Sequence, residues 1–245
     1  MMDPVALITG SARRIGAEIT RTLHQQGMRV IIHYRNSDTQ ANTLANQLNS
    51  IRPDSARVLQ ADLDKPDEVR RLGGDALAAF GQVNLLVNNA SSFYPTPLEE
   101  ATDADWDALM HSNLRAPYLL CQALSPSLRK HRGAIINIVD VYAEKPLEKH
   151  TLYCMAKAGL AMMTRSLARE LGPDIRVNGV SPGPILWPEA GQMNQEAITA
   201  STALKRCGEP ADIAGAVAWL ARDAGFVTGQ ILAVDGGRSL AFQGG

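Results

Sequence analysis

The sequence predicts an α/β fold: one domain, a doubly wound parallel sheet of about seven strands flanked by helices. Three observations predict it. Short apolar runs rich in Val, Ile and Leu alternate along the chain with longer stretches of helical character. The runs are continuous rather than alternating, as strands covered on both faces require. No linker, repeat or low-complexity segment divides the 245 residues, a length that suits a single α/β domain.

Residues 5–9 form the first strand, followed by a helix over 13–26 that Gly27 closes as a C-cap. The second strand, 30–34, leads to a helix over 38–49, and the third strand covers 56–60. Asp64, ahead of Pro66, reads as the N-cap of a helix over 66–80. A fourth strand at 83–87 precedes a long helical stretch, 103–130, which Pro117 and Pro126 interrupt. The fifth strand is 134–139, and the helix 151–171 after it ends at Gly172-Pro173. Strand 175–180, helix 211–221 and strand 231–234 complete the order.

Composition narrows the function classes. With 24 Lys+Arg against 25 Asp+Glu, the formal net charge is −1, which offers no footprint for nucleic acid or an acidic membrane surface. At 45% hydrophobic and 20% charged, the chain has ample apolar mass for a core and is not disordered. Its three cysteines, Cys121, Cys154 and Cys207, are far apart and form no C-x-x-C, so reduced thiols are expected rather than disulfides or a metal site. The start, MMDPVALITG, lacks the basic and apolar runs of a secretory signal. The uncharged stretch 77–98 is broken by Gly81, Asn84, Asn88, Asn89, Pro95 and Pro97, too densely for a bilayer span. A soluble, cytoplasmic protein with no membrane or nucleic-acid partner is the expectation.

The first strand runs into Thr9-Gly10-Ser11-Ala12-Arg13-Arg14-Ile15-Gly16 and a helix. Glycines there let the backbone approach a pyrophosphate, whose charge a helix N-terminus favours. The turn departs from G-x-G-x-x-G, with three residues after Gly10 and Arg14 where a middle glycine often stands. An ordinary βα turn is the competing reading. After the second strand come His33-Tyr34-Arg35-Asn36-Ser37-Asp38. Arg35 and Ser37 suit a 2′-phosphate, and Asp38 reads as a helix cap rather than a ribose ligand, so NADPH is expected over NADH. Asp62, next to Leu63, either bonds an adenine amino group or belongs to the turn. Asn88-Asn89-Ala90 closes the fourth strand, where amides tie neighbouring loops.

Tyr153 and Lys157 lie four apart on one helix face, so the ammonium can approach the phenol and favour phenolate. They follow Asp140, at the end of a central strand. Asn113, in the preceding helical stretch, is a further polar candidate.

Together these residues resemble the short-chain dehydrogenase/reductase family over essentially the whole chain, from Thr9-Gly10 to Val234-Asp235-Gly236-Gly237. Asn88-Asn89-Ala90, Asn113, Tyr153-x-x-x-Lys157, Arg176-Val177-Asn178 and Pro182-Gly183 stand in the family's order. The resemblance implies a Rossmann-type fold, with Tyr153 as proton donor, Lys157 lowering its pKa and binding the nicotinamide ribose, and Asn113 supporting a relay water. It also implies NADPH held by Gly10, Arg13, Arg14, Ile15, His33, Tyr34, Arg35, Asn36, Ser37, Asp62, Leu63, Asn89, Ala90, Ser91, Lys157, Pro182 and Gly183.

Two departures narrow the resemblance to pteridine reductases. Asp140 stands where the family usually has a serine that donates to a carbonyl. A carboxylate there would repel a developing alkoxide and suits holding a proton beside an imine nitrogen. Arg14 adds a charge that reaches both cofactor and substrate. The run Ser91-Ser92-Phe93-Tyr94-Pro95-Thr96-Pro97 also resembles that subfamily, as do His33-Tyr34 and Ile136-Asn137-Ile138-Val139-Asp140. Phe93 then stacks a pterin against the nicotinamide, and Arg14, Ser91, Phe93, Asp140 and Tyr153 hold the substrate. By itself, Phe93 would read as a loop anchor. The resemblance implies reduction of dihydropterin to tetrahydropterin, with oxidised pterin and dihydrofolate as further substrates, by a homotetramer. Trp187 falls in a substrate loop of about 183–205, where it either covers the site or folds the loop. The competing functions are a carbonyl reductase, such as a 3-oxoacyl-thioester reductase, and a non-catalytic NADP-binding regulator.

Overall fold

Hydrophobic side chains that change face at every residue decide the architecture. Ala6 and Ile8 of the first strand join one apolar cluster, while Val5 and Leu7 join another. Val30 and Ile32 divide from Ile31 in the same way, as do Ala134, Ile136 and Ile138 from Ile135. These central strands therefore bury both faces, and only helices on both sides of a parallel sheet can cover them.

The computed structural model describes residues 3–185 and 195–240. Its strands are β1 (Val5–Ile8), β2 (Arg29–Tyr34), β3 (Ala56–Gln60), β4 (Leu85–Asn88), β5 (Ala134–Ile138), β6 (Arg176–Pro182) and β7 (Ile231–Val234). They form one sheet in the order β3-β2-β1-β4-β5-β6-β7, parallel throughout. The helices are α1 (Arg14–Gln25), α2 (Asp38–Ile51), α3 (Pro66–Phe80), α4 (Asp103–Met110), α5 (Ala116–Lys130), α6 (Thr151–Leu171), α7 (Gln195–Ser201) and α8 (Pro210–Arg222). Residues of α1, α2 and α8 pack on one face, and those of α3, α5 and α6 on the other. The single-domain, doubly wound fold expected from the sequence is what forms.

Local details differ from expectation. Residues 103–130 stay helical through both prolines. Between α4 and α5 lies a π-helical segment, His111–Arg115, in which the Ala116 N–H reaches back to the His111 carbonyl. Pro117 follows this wide turn in the first turn of α5, where a missing N–H is tolerated. Pro126 lies inside α5, and the Ser125 hydroxyl donates to the Gln122 carbonyl, at 3.1 Å, that a proline N–H cannot serve. Ser37, not Asp38, is the N-cap of α2; the Asp38 carboxylate instead accepts from the Tyr34 hydroxyl at 2.6 Å. Lys65, not Asp64, precedes α3, because Asp64 turns its carboxylate to Arg35. Gln26 caps α1, with Gly27 next at φ 93°. The loop after Gly183 contains α7, which the sequence pattern did not announce. Trp187 lies outside the described residues.

Arg176 and Asn178 are structural. The Arg176 guanidinium donates to the carbonyls of Leu220, Ala221 and Ala224 at the end of α8, and the Asn178 amide joins Val227 and Gln230. Among the described residues, no helix is long and apolar enough to cross a membrane.

Candidate active site

The strand order reverses between β1 and β4, and the carboxyl ends of a parallel sheet open into a crevice there. Thr9 and Asn89 stitch the two ends together. The Thr9 hydroxyl accepts from the N–H groups of Asn89 and Ala90 at 2.9 and 3.0 Å, and the Asn89 amide donates to the Thr9 and Gly10 carbonyls at 2.8 and 3.1 Å. Gly10 has φ 61°, and a Cβ there would lie 2.9 Å from the Ala90 Cα, so only glycine lets the loops meet.

Two clefts open from this seam. The one of about 420 Å³ is lined by Gly10, Arg13, Arg14, Ile15, His33, Tyr34, Arg35, Asn36, Ser37, Leu63, Asn89, Ala90 and Ser91. The other, about 620 Å³, shares Arg13, Arg14, Ile15, Asn89 and Ser91 with it and adds Phe93, Asp140, Tyr153, Lys157, Pro182 and Gly183. Helix α1 points its N-terminus at the seam, with no side chain capping it and no acid in its first turn. Open N–H groups, flanking arginines and the Ser37 hydroxyl form a donor set that fits a pyrophosphate and a 2′-phosphate. Arg14 holds φ 55° where glycine would be relaxed, and keeps its charge on both clefts at a cost of about 1 kcal/mol in backbone strain.

His33 is a brace more than a ligand. Its Nδ1 accepts from the Gly10 N–H at 3.0 Å and its Nε2 meets the Ala61 carbonyl at 3.1 Å, so both ring nitrogens are committed to backbone. Burial lowers its pKa to about 4, which keeps the ring neutral and able to accept. The unfolded ring protonates near 6.5, so His33's contribution to stability is complete above that pH. It is lost as pH falls toward 4, by about 3 kcal/mol in all. Denaturant titrations at pH 7 and pH 5 are expected to show this slope, and His33→Gln to flatten it; an unaltered slope in that variant would count against the brace.

Asp140, Tyr153 and Lys157 gather at the end of β5. Asp140 Oδ1 accepts from the Tyr142 N–H at 2.9 Å and Oδ2 from the Tyr153 hydroxyl at 2.8 Å. Burial raises the Asp140 pKa, against the Tyr142 bond and the Lys157 charge. The Lys157 ammonium is buried, donates to the Ile138 carbonyl at 2.9 Å and lies 5.7 Å from the centre of the Tyr153 ring. Burial brings its pKa down to about 8, with the Asp140 charge acting the other way. The Tyr153 phenol moves opposite to the expectation from its Lys157 neighbour. Burial, then the Asp140 carboxylate, raises its pKa well above 10, so the hydroxyl keeps its proton. The Phe93 ring stacks on His150, 4.7 Å between centroids at 16°, and meets Tyr153 edge-on at 4.8 Å.

Comparison with known proteins decides the family. Residues 10–239 match a family model described as enoyl-(acyl carrier protein) reductase. A short-chain type dehydrogenase/reductase of Picea abies is 35% identical, over 96% of this chain and 92% of its own. The chain belongs to the short-chain dehydrogenase/reductase family. Another relative, pteridine reductase 1 of Leishmania tarentolae, is 36% identical over 97% of this chain and 96% of its own. A blue fluorescent protein from a metagenomic library, solved in complex with NADPH, superposes with a TM-score of 0.90 at 40% identity, covering 96% of this chain and 97% of that one. This short-chain dehydrogenase/reductase is accordingly an NADPH-dependent oxidoreductase.

Two expected residues of the reductase line neither cleft. Asp62 accepts from the Asp64 N–H at 3.2 Å within the turn, and its place on the cleft wall is taken by Asp64. Asn113 is buried one layer back. Its amide donates to the Leu109 and Ser92 carbonyls, each at 3.0 Å, and its oxygen accepts from the Ser91 hydroxyl at 2.7 Å. The π turn pushes Asn113 toward the loop after β4, where it fixes Ser91 rather than facing solvent as a helix asparagine usually does. Sequence reasoning did not single out Tyr142, His150 or Arg238, which sit against the larger cleft or the Phe93 ring. Arg238 lies 85 residues beyond Tyr153, and only the fold joins them.

Proposed function

We propose that this protein is a pteridine reductase that uses NADPH to convert a dihydropterin to a tetrahydropterin, with oxidised pterin and dihydrofolate as further substrates. The bond between Tyr153 and Asp140 carries the reading. Ketone reduction needs only a hydroxyl donor at the position of Asp140, and any ionised fraction of a carboxyl group there opposes the negative charge that develops on oxygen. A carboxyl group whose pKa is raised by burial suits a ring nitrogen that must gain a proton. The relative named pteridine reductase 1, the Phe93 ring at the cleft and Arg14 on its wall support the same reading.

NADPH, when bound, supplies the hydride. The Gly10 turn, the α1 N-terminus, Arg13 and Arg14 are assigned to its pyrophosphate, Arg35, Asn36 and Ser37 to the 2′-phosphate, and Leu63 and Ala90 to the adenosine side. Lys157, anchored on Ile138, presents its ammonium to the nicotinamide ribose. Asp140, which accepts from Tyr153 at rest and whose pKa burial raises, takes up a proton when substrate binds, and the Tyr153 hydroxyl hands its own proton to the ring nitrogen beside the reduced carbon. The Asp140 proton then restores Tyr153. Asn113 acts through Ser91, which it holds at the cleft mouth. The segment of about 183–205 is assigned as the substrate loop; Pro184, Ile185 and Ile198 of it line the cleft.

Arg35 currently pairs with Asp64 at 2.8 Å and stands 3.6 Å from Asp62, partners that a 2′-phosphate replaces. Arg35→Gln is expected to raise the KM for NADPH by about tenfold, with NADH little affected. Steady-state kinetics with both cofactors check this, and an equal effect on both would remove the assignment. We place the enzyme in the cytoplasm as a homotetramer pairing α6, on which Met155 and Met162 stand exposed. Light scattering after size exclusion tests the assembly, and a clean monomer refutes it. Relatives named 3-oxoacyl-(acyl-carrier-protein) reductase favour reduction of a 3-oxoacyl thioester at its ketone as the second reading, and Asp140 opposes it.

Activity with 7,8-dihydrobiopterin, compared with an acetoacetyl thioester, tests the proposal. Turnover of the thioester alone would overturn it.

A further inference from the structure

Among the described residues, the cationic side chains lining the larger cleft are Arg13, Arg14, Lys157 and Arg238, and the carboxylate lining it is Asp140. Three of the cations have tasks. Arg13 and Arg14 also line the smaller cleft and belong with the cofactor phosphates, and Lys157 is buried beside the reacting pair. Arg238 lines the larger cleft alone.

Its backbone is held firmly. The Asp235 carboxylate accepts from the Gly237 N–H at 2.8 Å and the Ser239 N–H at 2.7 Å. Gly236 and Gly237 take φ 60° and 76°, and a Cβ on Gly237 would come within 2.6 Å of the Ala203 side chain. Arg238 follows this double left-handed turn, lines the larger cleft and stands beside the Tyr142 phenol, whose pKa burial raises and the Arg238 charge and hydrogen bond lower. Tyr142 in turn donates its N–H to Asp140, so Arg238 sits next to the reacting pair without belonging to it. Among the described residues no carboxylate pairs with it. A partly shielded guanidinium on a backbone held in this way is suited to bidentate capture of a carboxylate.

We infer that Arg238 is a specificity-determining residue, holding a carboxylate on the part of the substrate that extends beyond the reacting ring. Resting on the pteridine reading, the inference makes a carboxylate-bearing tail, rather than a neutral one, the preferred substrate class.

The test compares the native enzyme, Arg238→Gln and Arg238→Lys at saturating NADPH, with dihydrofolate, which carries glutamyl carboxylates, and dihydrobiopterin, whose side chain is neutral. Thermal melting establishes that each variant is folded. In Arg238→Gln the ratio of kcat/KM for dihydrofolate to that for dihydrobiopterin is expected to fall at least about tenfold, through KM, with part of the loss recovered by lysine. An unchanged ratio overturns the inference. So does an equal rise in the KM for NADPH, which would assign Arg238 to the cofactor. Should the native enzyme reduce neither pterin, the pteridine reading fails, and calorimetry with p-aminobenzoylglutamate on the NADPH complex decides the anion site separately. Binding weakened at least about tenfold by Arg238→Gln sustains the site; equal binding, or none by the native protein, removes it.

Discussion

Tyr153→Phe is expected to lower turnover by about 10²-fold or more while NADPH still binds. The substitution removes one hydroxyl and keeps the ring, so the edge contact with Phe93 and the packing over Lys157 survive. What disappears is the proton that burial and Asp140 hold on the oxygen at neutral pH. Binding and chemistry therefore separate. A fluorescence titration should return native affinity for NADPH, and steady-state assays should show the loss in kcat. Native turnover in this variant would remove Tyr153 as the donor.

The second large effect concerns Asp140. Replaced by serine, it loses the acidic proton that the proposed mechanism uses to replenish Tyr153, and the proposed pterin turnover is expected to drop by about 10²-fold. Asp140→Asn gives the sharper comparison, because the amide still donates to the Tyr153 oxygen but has no proton to release. Burial raises the Asp140 pKa, so in the native enzyme the protonated fraction, and the rate, fall as pH rises through that raised value. Both variants should lose this alkaline limb. A pH–rate profile of kcat checks the sign; retention of the limb would assign it to another group. A gain of ketone or thioester reduction in Asp140→Ser would show that the carboxylate excludes those substrates.

Much of the fold was legible because its central strands bury both faces. Residues such as Val5, Ala6, Leu7 and Ile8 leave no polar position in the run, and only a parallel sheet under two helical layers accommodates that. The ends of elements were less legible. Ser37 and Asp38 are both good caps, and the choice fell to a tertiary contact, the Tyr34 hydroxyl on Asp38. The helical run through Pro117 and Pro126 likewise depends on a π turn and a serine hydroxyl that no periodicity announces.

At the site, motif residues of the glycine turn and the Tyr153-Lys157 pair came together, since each rests on one strand end or one helix face. Asn113 was expected to support a relay water, but its depth behind Ser91, off both clefts, follows from the π turn. The direction of the Tyr153 pKa was misread from spacing alone. Lys157 is near the ring, yet its ammonium is bonded to Ile138, while the Asp140 carboxylate lies directly on the phenol oxygen. Arg238 reaches the cleft through a glycine turn at the far end of the chain, a placement that only the folded sheet defines.

The most direct test of the account is NADPH oxidation, followed by the absorbance of the reduced nicotinamide, with 7,8-dihydrobiopterin as substrate. Parallel reactions contain dihydrofolate, an acetoacetyl thioester, and NADH in place of NADPH. The expected result is turnover of the dihydropterin, preference for NADPH and no turnover of the thioester. Reduction of the thioester with an inert dihydropterin would contradict it, leaving the fold and the cofactor but removing the role given to Asp140.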